Sequence, residues 1–294
     1  MKSSVVTIGL YDGVHVGHRS IIDRVVKEAH KRGAISVVVT FDRHPVEVTR
    51  PGQAPCLLTD VKTKSELLRA LGVDKIVVIP FSLKIAGLSP DRFLKEWIEP
   101  LTPELILVGE DFRFGKGRTG DIKTLHDFAA AGGHETTAVR LTEVAGEKAS
   151  SSLAREKISS GDIAGAREIL GRYPSYRGKV EKGEVRGQTL GFPTANIRTT
   201  DQMCLPPTGV YAGRLEYAGQ SRPAVINVGR APTFGTRRQT VIEAYVLDFN
   251  GDLYGCEVKV EFCIRLRSER KFPDAVSLTR QIAEDARQTR DMIR

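Results

Sequence analysis

The chain has 294 residues, of which 40% are hydrophobic and 27% charged, and it carries a formal net charge of +8 at pH 7. These values are typical of a soluble globular protein of about two domains, and they exclude a disordered, collagen-like or miniature disulfide-rich chain. The longest apolar runs are of strand length, such as residues 35–39, far below the roughly 18 residues of a membrane span. Because the first residues lack the apolar stretch of a signal peptide, we expect a cytoplasmic protein.

The positive charge lies mainly in the second half of the chain. Residues 1–150 hold 21 Lys and Arg against 19 Asp and Glu, whereas residues 151–294 hold 23 against 17. No block of five or six like charges occurs. The charge therefore favours phosphorylated small ligands over a nucleic-acid-binding tail, although a solvated basic surface explains it equally well. The four cysteines match no zinc or redox spacing, which indicates reduced thiols.

Strands and helices alternate through the first half of the chain. Apolar runs predict the strands, and apolar residues at helical spacing predict the helices between them. The predicted elements are a strand at 4–10, a helix at 19–31, a strand at 35–41, a helix at 63–71, a strand at 75–80, a helix at 90–99, a strand at 105–109 and a helix at 121–131. Such alternation predicts an α/β domain with a parallel sheet and right-handed crossovers over residues 1–171.

Short strands interrupted by Gly and Pro follow a predicted linker at 172–176. The predicted elements are strands at 178–182, 209–217, 222–228, 241–249 and 257–264, and a closing helix at 273–293. Asn250-Gly251 is a strong hairpin signal between two of these strands. Residues 172–294 are therefore predicted to form a second domain, a small antiparallel β-barrel with a closing helix.

The first predicted strand runs into residues 11–18, YDGVHVGH, and then into a helix. A strand, a glycine turn and a helix start form an anion site, because free backbone N–H groups and the helix dipole point at the ligand. His15 and His18 lie three residues apart and face the same way, so they can donate hydrogen bonds to phosphate oxygens as charge develops. A chance pair of histidines and a zinc site remain as alternatives.

A serine cluster near the end of the first domain is the second candidate motif. Ser151 and Ser152 precede a predicted helix at 153–158, and Arg155 lies one turn into that helix. Hydroxyl groups cap helices, which by itself explains the serines. Arg155 is placed to reach a triphosphate tail. The combination of this cluster with the histidine motif is more specific than either one alone.

Residues 187–197, GQTLGFPTANI, form the third motif. Gly187 and Gly191 would let the backbone approach a phosphate closely. Thr194 and Asn196 offer neutral oxygen ligands on alternate positions, which suit Mg²⁺ bound together with phosphate oxygens. The segment is not a Walker loop, since no Gly-Lys-Ser/Thr follows the glycines. A glycine-rich hairpin with a rigid proline is the alternative.

Taken together, these motifs resemble the bacterial bifunctional riboflavin kinase/FAD synthetases. Residues 9–18, 40–45 and 108–115, with the serine cluster, resemble the adenylyltransferase module of that family, whose opening motif is that of the nucleotidylyltransferase superfamily. Residues 187–197 resemble the flavokinase motif. Further flavokinase blocks follow in order at 205–211, 227–234 and 253–255.

The resemblance implies a Rossmann-like nucleotidylyltransferase domain at 1–171 and a β-barrel flavokinase domain at 172–294. It implies that riboflavin is phosphorylated by ATP to FMN, and that FMN is adenylylated to FAD with release of pyrophosphate. Mg²⁺ is the implied cofactor, ATP the co-substrate, and the flavins the substrates and products. No nucleic-acid or membrane partner is expected, and the oligomeric state is left open.

The resemblance also implies a role for individual residues. The implied residues are His15, His18 and Glu243 for catalysis; Gly9, Asp12, Gly17, Ser151, Ser152, Arg155, Gly187, Gly191, Thr194 and Asn196 for ATP; Asp111 and Phe112 for the flavin; and Thr194 and Asn196 for the metal. Glu243 would act as the base that takes a proton from riboflavin. Without the resemblance, Glu243 reads as an exposed carboxylate on a strand.

Two other functions stay open at the level of sequence. One is a nucleotidylyltransferase with another phosphorylated acceptor, whose barrel only binds that acceptor. The other is a nucleic-acid-binding module, prompted by the positive charge and the barrel. Aromatic residues make up 6% of the chain and do not interleave with its Arg-rich stretches, which disfavours the second of these.

Overall fold

The computed structural model describes residues 2–140, 142–144, 146–181, 192–199, 202–231 and 239–293. The chain divides into two compact units, Met1–Ser151 and Ser152–Arg294. The unit boundary therefore lies at the start of a helix, and the domain division at residue 172 stays a prediction. Across the described ranges, no helix combines the length and the apolar character that a bilayer crossing requires.

The first unit contains a five-stranded parallel sheet with strand order β3-β2-β1-β4-β5. Its strands are β1 (Ser4–Ile8), β2 (Ile35–Phe41), β3 (Lys75–Ile79), β4 (Pro103–Gly109) and β5 (Glu135–Val139). Its helices are α1 (Val16–Arg32), α2 (Pro45–Thr49), α3 (Val61–Ala70), α4 (Leu83–Ala86), α5 (Pro90–Phe93) and α6 (Ile122–Gly132). A two-stranded ribbon of β6 (Glu143–Val144) and β7 (Glu147–Lys148) follows.

The central strand β1 determines where a ligand can bind to this sheet. Val5 and Val6 are fully buried and belong to different apolar clusters, so both faces of β1 are covered. Strands β2 and β3 extend the sheet on one side of β1, and β4 and β5 extend it on the other. The strand order thus reverses between β1 and β4. In open parallel sheets, ligands bind at the carboxyl ends of the strands at such a switch point.

The predicted parallel sheet is confirmed, and its element boundaries differ in two informative places. The predicted helix at 90–99 is α5 followed by a π-helical turn, Leu94–Ile98, and a 3₁₀ turn, Glu99–Leu101. Pro100 lies in the last of these turns and lacks the N–H that a continuing helix needs. The sequence does not predict the edge strand β5, because its residues ETTAV contain no continuous apolar run.

The second unit is built around a closed barrel with strand order β10-β11-β12-β9-β8-β13. Its strands are β8 (Ser175–Glu181), β9 (Ala195–Arg198), β10 (Gly209–Tyr217), β11 (Gln220–Ala231), β12 (Gln239–Val246) and β13 (Glu257–Arg267). Its helices are α7 (Ser151–Ser160), α8 (Ile163–Leu170) and α9 (Ala275–Met292), of which α9 is the predicted closing helix. Tyr176, Tyr211 and Phe262 fill the barrel interior with edge-to-face ring contacts.

The predicted hairpin at Asn250-Gly251 is wrong. Strand β12 pairs with β11 and β9, and β13 pairs with β10 and β8, so the two strands that flank this dipeptide are not neighbours. Closure of the barrel places β8 and β9 between them. The tight hairpin is instead Ala218-Gly219, between β10 and β11, where both residues have positive φ, 49° and 76°. This is the geometry of a type I′ turn, which follows the twist of paired strands.

The predicted linker at 172–176 is also partly wrong, because its last two residues begin strand β8. Tyr176 is buried in the barrel core, and its hydroxyl donates a hydrogen bond to the carbonyl oxygen of Cys204. Strand β9 was not predicted, since it lies inside the third motif, where glycine and proline conceal a strand of only four residues.

An ion pair with one partner deeply buried fastens helix α9 to the barrel. Arg267, at the end of β13, donates to both carboxylate oxygens of Asp285, and the shortest contact, Nη2 to Oδ2, is 2.7 Å. Asp285 is only 2% exposed. Removing one partner of a buried pair leaves the other charge uncompensated, which costs about 3–5 kcal/mol. We expect Asp285→Ala to lower the free energy of unfolding by about that amount in chemical denaturation followed by circular dichroism.

Asp291 provides the matched control for this prediction. It lies on the same helix and forms an ion pair with Arg287, but both side chains are more than half exposed. Exposed pairs contribute little to stability, so Asp291→Ala is expected to leave the unfolding midpoint nearly unchanged. Equal losses of stability in the two variants would show that burial does not set the strength of the Asp285 pair.

Candidate active sites

The loop after β1 has an uncommon backbone conformation. Tyr11, Gly13 and Val14 all have positive φ, 49°, 82° and 39° respectively. Positive φ is a genuine outlier for a β-branched residue such as Val14, and such strain costs about 1–3 kcal/mol. Strained residues cluster at active sites and ligand clamps, where the surrounding structure holds them in place. The loop therefore has the backbone signature of a functional segment.

The Asp12 carboxylate anchors this loop to a neighbouring segment. It accepts hydrogen bonds from the backbone N–H groups of Leu58 at 3.0 Å and Thr59 at 3.1 Å. The Thr59 hydroxyl in turn accepts from the N–H of Gly13 at 3.1 Å. The Ser151 hydroxyl donates to the carbonyl oxygen of Asp12 at 2.9 Å, so the first predicted serine lies at the histidine loop. The Asp12 side chain is thus seen to position the loop, and its contact with ATP stays a prediction.

His15 and His18 lie together at the start of α1. His15 is the N-cap residue, and its Nδ1 accepts a hydrogen bond from the backbone N–H of His18 at 3.3 Å. The two rings stack with centroids 3.6 Å apart, and the Tyr11 ring meets His18 edge-on at 5.1 Å. The Nδ1 atom of His18 is buried and has no hydrogen-bond partner among the described residues. A buried polar atom without a partner costs about 1–3 kcal/mol, so this site suits a polar ligand.

The surroundings of His18 hold its ring in the neutral form. Burial lowers the pKa of His18 well below its ordinary value of 6.5, and the electrostatic influence of His15 and Lys64 acts in the same direction. A neutral imidazole keeps one N–H donor and one acceptor nitrogen. His18 can therefore donate a hydrogen bond to a phosphate at neutral pH without itself carrying a charge.

We expect the ring resonances of His18 to keep their neutral-form shifts from about pH 8 to about pH 6 in an NMR titration. His18→Gln removes the signal and so assigns it. In the unfolded chain this histidine takes up a proton near pH 6.5, whereas the folded chain takes it up only at lower pH. The folded state is therefore destabilised by this group as the pH falls below about 6.5. A titration midpoint at or above that value would contradict the burial of the ring.

Lys64 in α3 is a buried cation that no sequence motif singles out. It is 5% exposed, and its Nζ donates to the carbonyl oxygens of Leu10 at 3.1 Å and Phe41 at 2.7 Å. Burial lowers the pKa of Lys64 to about 8, against the opposing influence of Asp12 and Asp42. Leu10 and Phe41 lie at the carboxyl ends of β1 and β2. Lys64 therefore ties these two strand ends together and brings a positive charge to the loop.

Gly9 and Gly17, two of the predicted ATP-binding residues, are closely packed. A Cβ atom at Gly9 would lie 2.9 Å from the ring of Tyr11. A Cβ atom at Gly17 would lie 3.2 Å from the ring of His15 and 3.3 Å from the carbonyl oxygen of Ala149. Packing within the loop therefore explains both glycines, and their contact with ATP stays a prediction.

The loop after β4 carries the two predicted flavin residues. The Phe112 ring stacks on Phe114 with centroids 5.3 Å apart. The Asp111 carboxylate is exposed and forms an ion pair with Lys148 at 2.5 Å. Since β4 lies beside β1, this loop and the histidine loop flank the switch point of the sheet. The placement fits a flavin that binds next to the histidines.

The remaining residues predicted to bind the ATP of the adenylyl transfer belong to the second unit. Ser152 and Arg155 both belong to helix α7, which begins at Ser151. Their part in holding the triphosphate tail stays a prediction. Within the described ranges, no group of three His, Cys, Asp or Glu side chains is arranged to hold a metal ion.

The barrel places three polar residues of the second unit side by side. Glu243 on β12 lies opposite Asn227 on β11 and opposite Asn196 on β9. Opposed residues of antiparallel strands point to the same face of the sheet. Ile242 and Ala244 are buried in the core, so strand alternation puts Glu243 on the outer face of the barrel. The structure thus brings Glu243 and Asn196 together and adds Asn227, for which the resemblance implies no role.

Asn196, one residue of this row, also lines a cavity of about 330 Å³. Its walls include Thr194 and Asn196, together with the apolar side chains of Val180, Val246 and Phe249. Ligand cavities in proteins typically measure about 300–1,000 Å³ and combine apolar walls with a few polar groups. Gly187 and Gly191, the two glycines of the third motif, lie outside the described residues.

Comparison with known proteins identifies the family. A model of FAD synthetase matches residues 1–153, and a model of riboflavin kinase matches residues 170–293. The bifunctional riboflavin kinase/FMN adenylyltransferase of Bacillus subtilis strain 168 is 37% identical over 285 residues, which cover 96% of this chain and 90% of the relative. The Escherichia coli K12 protein of the same name is 34% identical over 286 residues, 97% of this chain and 91% of the relative.

A solved structure from Streptococcus pneumoniae, described as a macrolide-efflux protein, shares the fold with a TM-score of 0.89. It is 30% identical, and the match covers 99% of this chain and 95% of that one. The two family models together account for nearly all of the chain, and the sequence relatives match over the same span. This chain therefore belongs to the family of bifunctional riboflavin kinase/FMN adenylyltransferases.

Proposed function

We propose that this chain carries out its two reactions at the two sites marked by its sequence motifs. It phosphorylates riboflavin with ATP to give FMN, and it transfers the adenylyl group of a second ATP to FMN, giving FAD and pyrophosphate. The observation that carries the proposal is the clustering of the predicted catalytic groups. His15 and His18 stack at the switch point of the sheet, and Glu243 lies beside Asn196 in the barrel.

For the kinase reaction, Glu243 is the general base. Its carboxylate accepts the proton of the riboflavin 5′-hydroxyl as that oxygen attacks the γ-phosphorus of ATP. The bond from the γ-phosphorus to the bridging oxygen breaks, and ADP leaves. Positioning and electrostatics supply most of the catalysis in such phosphoryl transfers. The half-buried position of Glu243, with amide side chains on both strand neighbours, supports this role.

Thr194 and Asn196 are the proposed ligands of Mg²⁺. Their hydroxyl and amide oxygens are hard neutral donors of the kind that Mg²⁺ accepts beside phosphate oxygens, and Glu243 adds a carboxylate nearby. The cation, when bound, offsets negative charge on the phosphates of ATP. Since both residues line the cavity of about 330 Å³, we assign that cavity to the nucleotide of the kinase reaction.

For the adenylyl transfer, the histidine loop is the phosphate site. An oxygen of the FMN phosphate attacks the α-phosphorus of ATP, and pyrophosphate departs in the same displacement. His15 and His18 stabilise the charge on the transferring group and on pyrophosphate, and Lys64 adds positive charge beneath the loop. No covalent intermediate on the protein is required.

Two further groups of residues bind the substrates of the transfer. Ser151, Ser152 and Arg155 are the proposed ligands of the phosphate tail of ATP, and the hydrogen bond from the Ser151 hydroxyl to the carbonyl oxygen of Asp12 supports the part of Ser151. Asp111 and Phe112 bind the flavin, in line with their loop beside the switch point of the sheet.

The direct test is incubation of the protein with riboflavin, Mg²⁺ and ATP, followed by chromatographic separation of the flavins. We expect FMN to form first and FAD to follow at its expense, with release of ADP and then of pyrophosphate. If FMN accumulates and no FAD forms, the first unit transfers adenylyl groups to another phosphorylated acceptor.

The cysteines support a cytoplasmic location for these reactions. All four lie within the described residues, and each is a thiol rather than half of a disulfide. Structural disulfides form and persist in oxidising compartments and are rare in the cytoplasm. A cytoplasmic location also gives direct access to ATP.

A further inference from the structure

Asn227 is the neighbour of Glu243 on the side of β12 that faces away from Asn196. Its Nδ2 donates a hydrogen bond to Oε2 of Glu243 at 3.3 Å. The ladder between β11 and β12 continues through eight successive pairs, Ala224–Val246 to Ala231–Gln239, so the backbone fixes where this amide lies. Asn227 is half-buried, which limits the water that would otherwise compete for the carboxylate.

Gly229 leaves the space that the Asn227 amide occupies. A Cβ atom at Gly229 would lie 3.5 Å from Nδ2 of Asn227 and 3.3 Å from Oε1 of Glu269. The glycine, two residues along the same strand, therefore borders a gap with the amide on one side and a carboxylate on the other. A side chain at this position would touch the Asn227 amide and crowd the Glu269 carboxylate.

We propose that Asn227 is a positioning residue for Glu243, holding its carboxylate in the orientation that receives the riboflavin hydroxyl proton. This inference rests on the proposed role of Glu243 as the base. An amide suits the task because it donates a hydrogen bond without adding charge. A cation in its place would neutralise the base, and a second carboxylate would oppose its ionisation.

Other charged groups lie near Glu243 and contribute to the electrostatic environment in which a pH experiment would be read. Glu269 follows β13 and borders the gap at Gly229. Glu181 on β8 lies opposite Asn196 and forms an exposed ion pair with Arg198 on β9 at 3.5 Å. The row Asn227, Glu243, Asn196 and Glu181 thus alternates amides with carboxylates across four strands.

Three variants test the proposal in the full-length protein, with riboflavin phosphorylation measured as ADP release across about pH 5 to 9. Asn227→Ala is expected to lower kcat about 10–100-fold, because a hydrogen bond to a charged group contributes on the order of that factor. Asn227→Asp is expected to move the acid limb of the pH profile upward by about one pH unit or more, because two adjacent carboxylates do not both ionise freely. Ser221→Asp is the matched control, because it adds the same charge next to another glutamate, Glu216, at the exposed end of β11. We expect it to leave the acid limb of the pH profile unchanged.

Adenylyl transfer from ATP to supplied FMN should be unchanged in all three variants, which shows that the first unit is intact, and an unfolding midpoint close to that of the wild type by circular dichroism shows that the barrel folds. The effect of Asn227→Ala on kcat is also measured in a Glu243→Gln background. If Asn227→Ala lowers kcat there by the same factor as in the wild type, Asn227 does not act through Glu243 and the inference fails. It fails as well if Asn227→Asp keeps the wild-type acid limb while Glu243→Gln abolishes phosphorylation. If Glu243→Gln itself leaves phosphorylation intact, the assignment of the base fails instead.

Discussion

Replacing His18 with alanine is expected to abolish FAD formation while FMN formation continues. The His18 ring is neutral and lies at the start of α1. If the transferring phosphate binds there as proposed, loss of the ring removes a hydrogen-bond donor from the developing charge. One such donor is worth about 10²–10³ in rate. The kinase groups lie in the other compact unit and keep their contacts. The measurement is chromatography of flavins after incubation with riboflavin and ATP, and separately with FMN and ATP.

Two further variants separate chemistry from helix stability in this experiment. His15 caps α1, so alanine there would weaken the helix as well as remove the ring, whereas His15→Asn keeps a capping side chain and removes only the ring. His30 is exposed near the other end of α1, and His30→Ala is expected to leave both reactions unchanged. FAD formation by the His18→Ala protein within a few-fold of the wild type would refute the role of the ring. Loss of both reactions would mean that the two sites are not independent.

Replacing Glu243 with glutamine is expected to give the opposite pattern, in which FMN formation fails and adenylylation of supplied FMN continues. Glutamine keeps the size of the side chain and its hydrogen bond to Asn227, but it cannot take a proton at neutral pH. General-base catalysis contributes about 10²–10⁴ to rate, so ADP release with riboflavin should fall by that factor. A coupled assay for ADP measures this directly.

The control for Glu243 is another carboxylate of the same barrel. Glu216 on β10 forms a half-buried ion pair with Lys259 at 3.0 Å and lies outside the row of polar residues. Glu216→Gln is expected to phosphorylate riboflavin at the wild-type rate. Turnover by Glu243→Gln within a few-fold of this control would show that the carboxylate is not the base.

The fold class was predictable from the sequence because buried parallel strands carry their signal in their own residues. The runs at β1, β2 and β4 consist mainly of Val, Ile and Leu, since both faces of each strand are covered. Edge strand β5 has one exposed face and no such run. The order of strands around the barrel depends on contacts between distant segments. For that reason Asn250-Gly251 suggested a hairpin between strands that do not pair.

The candidate sites were predictable to different degrees for the same reason. His15 and His18 lie three residues apart on one helix, so their spacing alone brought them together. Glu243 and Asn196 meet only through the strand order of the barrel, and the motif rather than the spacing pointed to them. The burial of Lys64 at the site could not be predicted from the sequence, because a lysine in an amphipathic helix is ordinarily a solvated side chain. Its burial appears only once α3 is packed against the ends of β1 and β2.

The two units also differ in how readily they would take up a strand from another molecule. Among the strands that the structure describes, every strand of the closed barrel is paired on both sides, whereas β3 and β5 of the open sheet are each paired on one side only. Unpaired strand edges act as templates for intermolecular pairing, and charged side chains protect them. Glu135 begins β5 and forms an ion pair with Arg32 of α1, which places such a charge at that edge. Under stress, self-association through added strands would therefore begin at the sheet of the first unit, while ring closure shields the barrel.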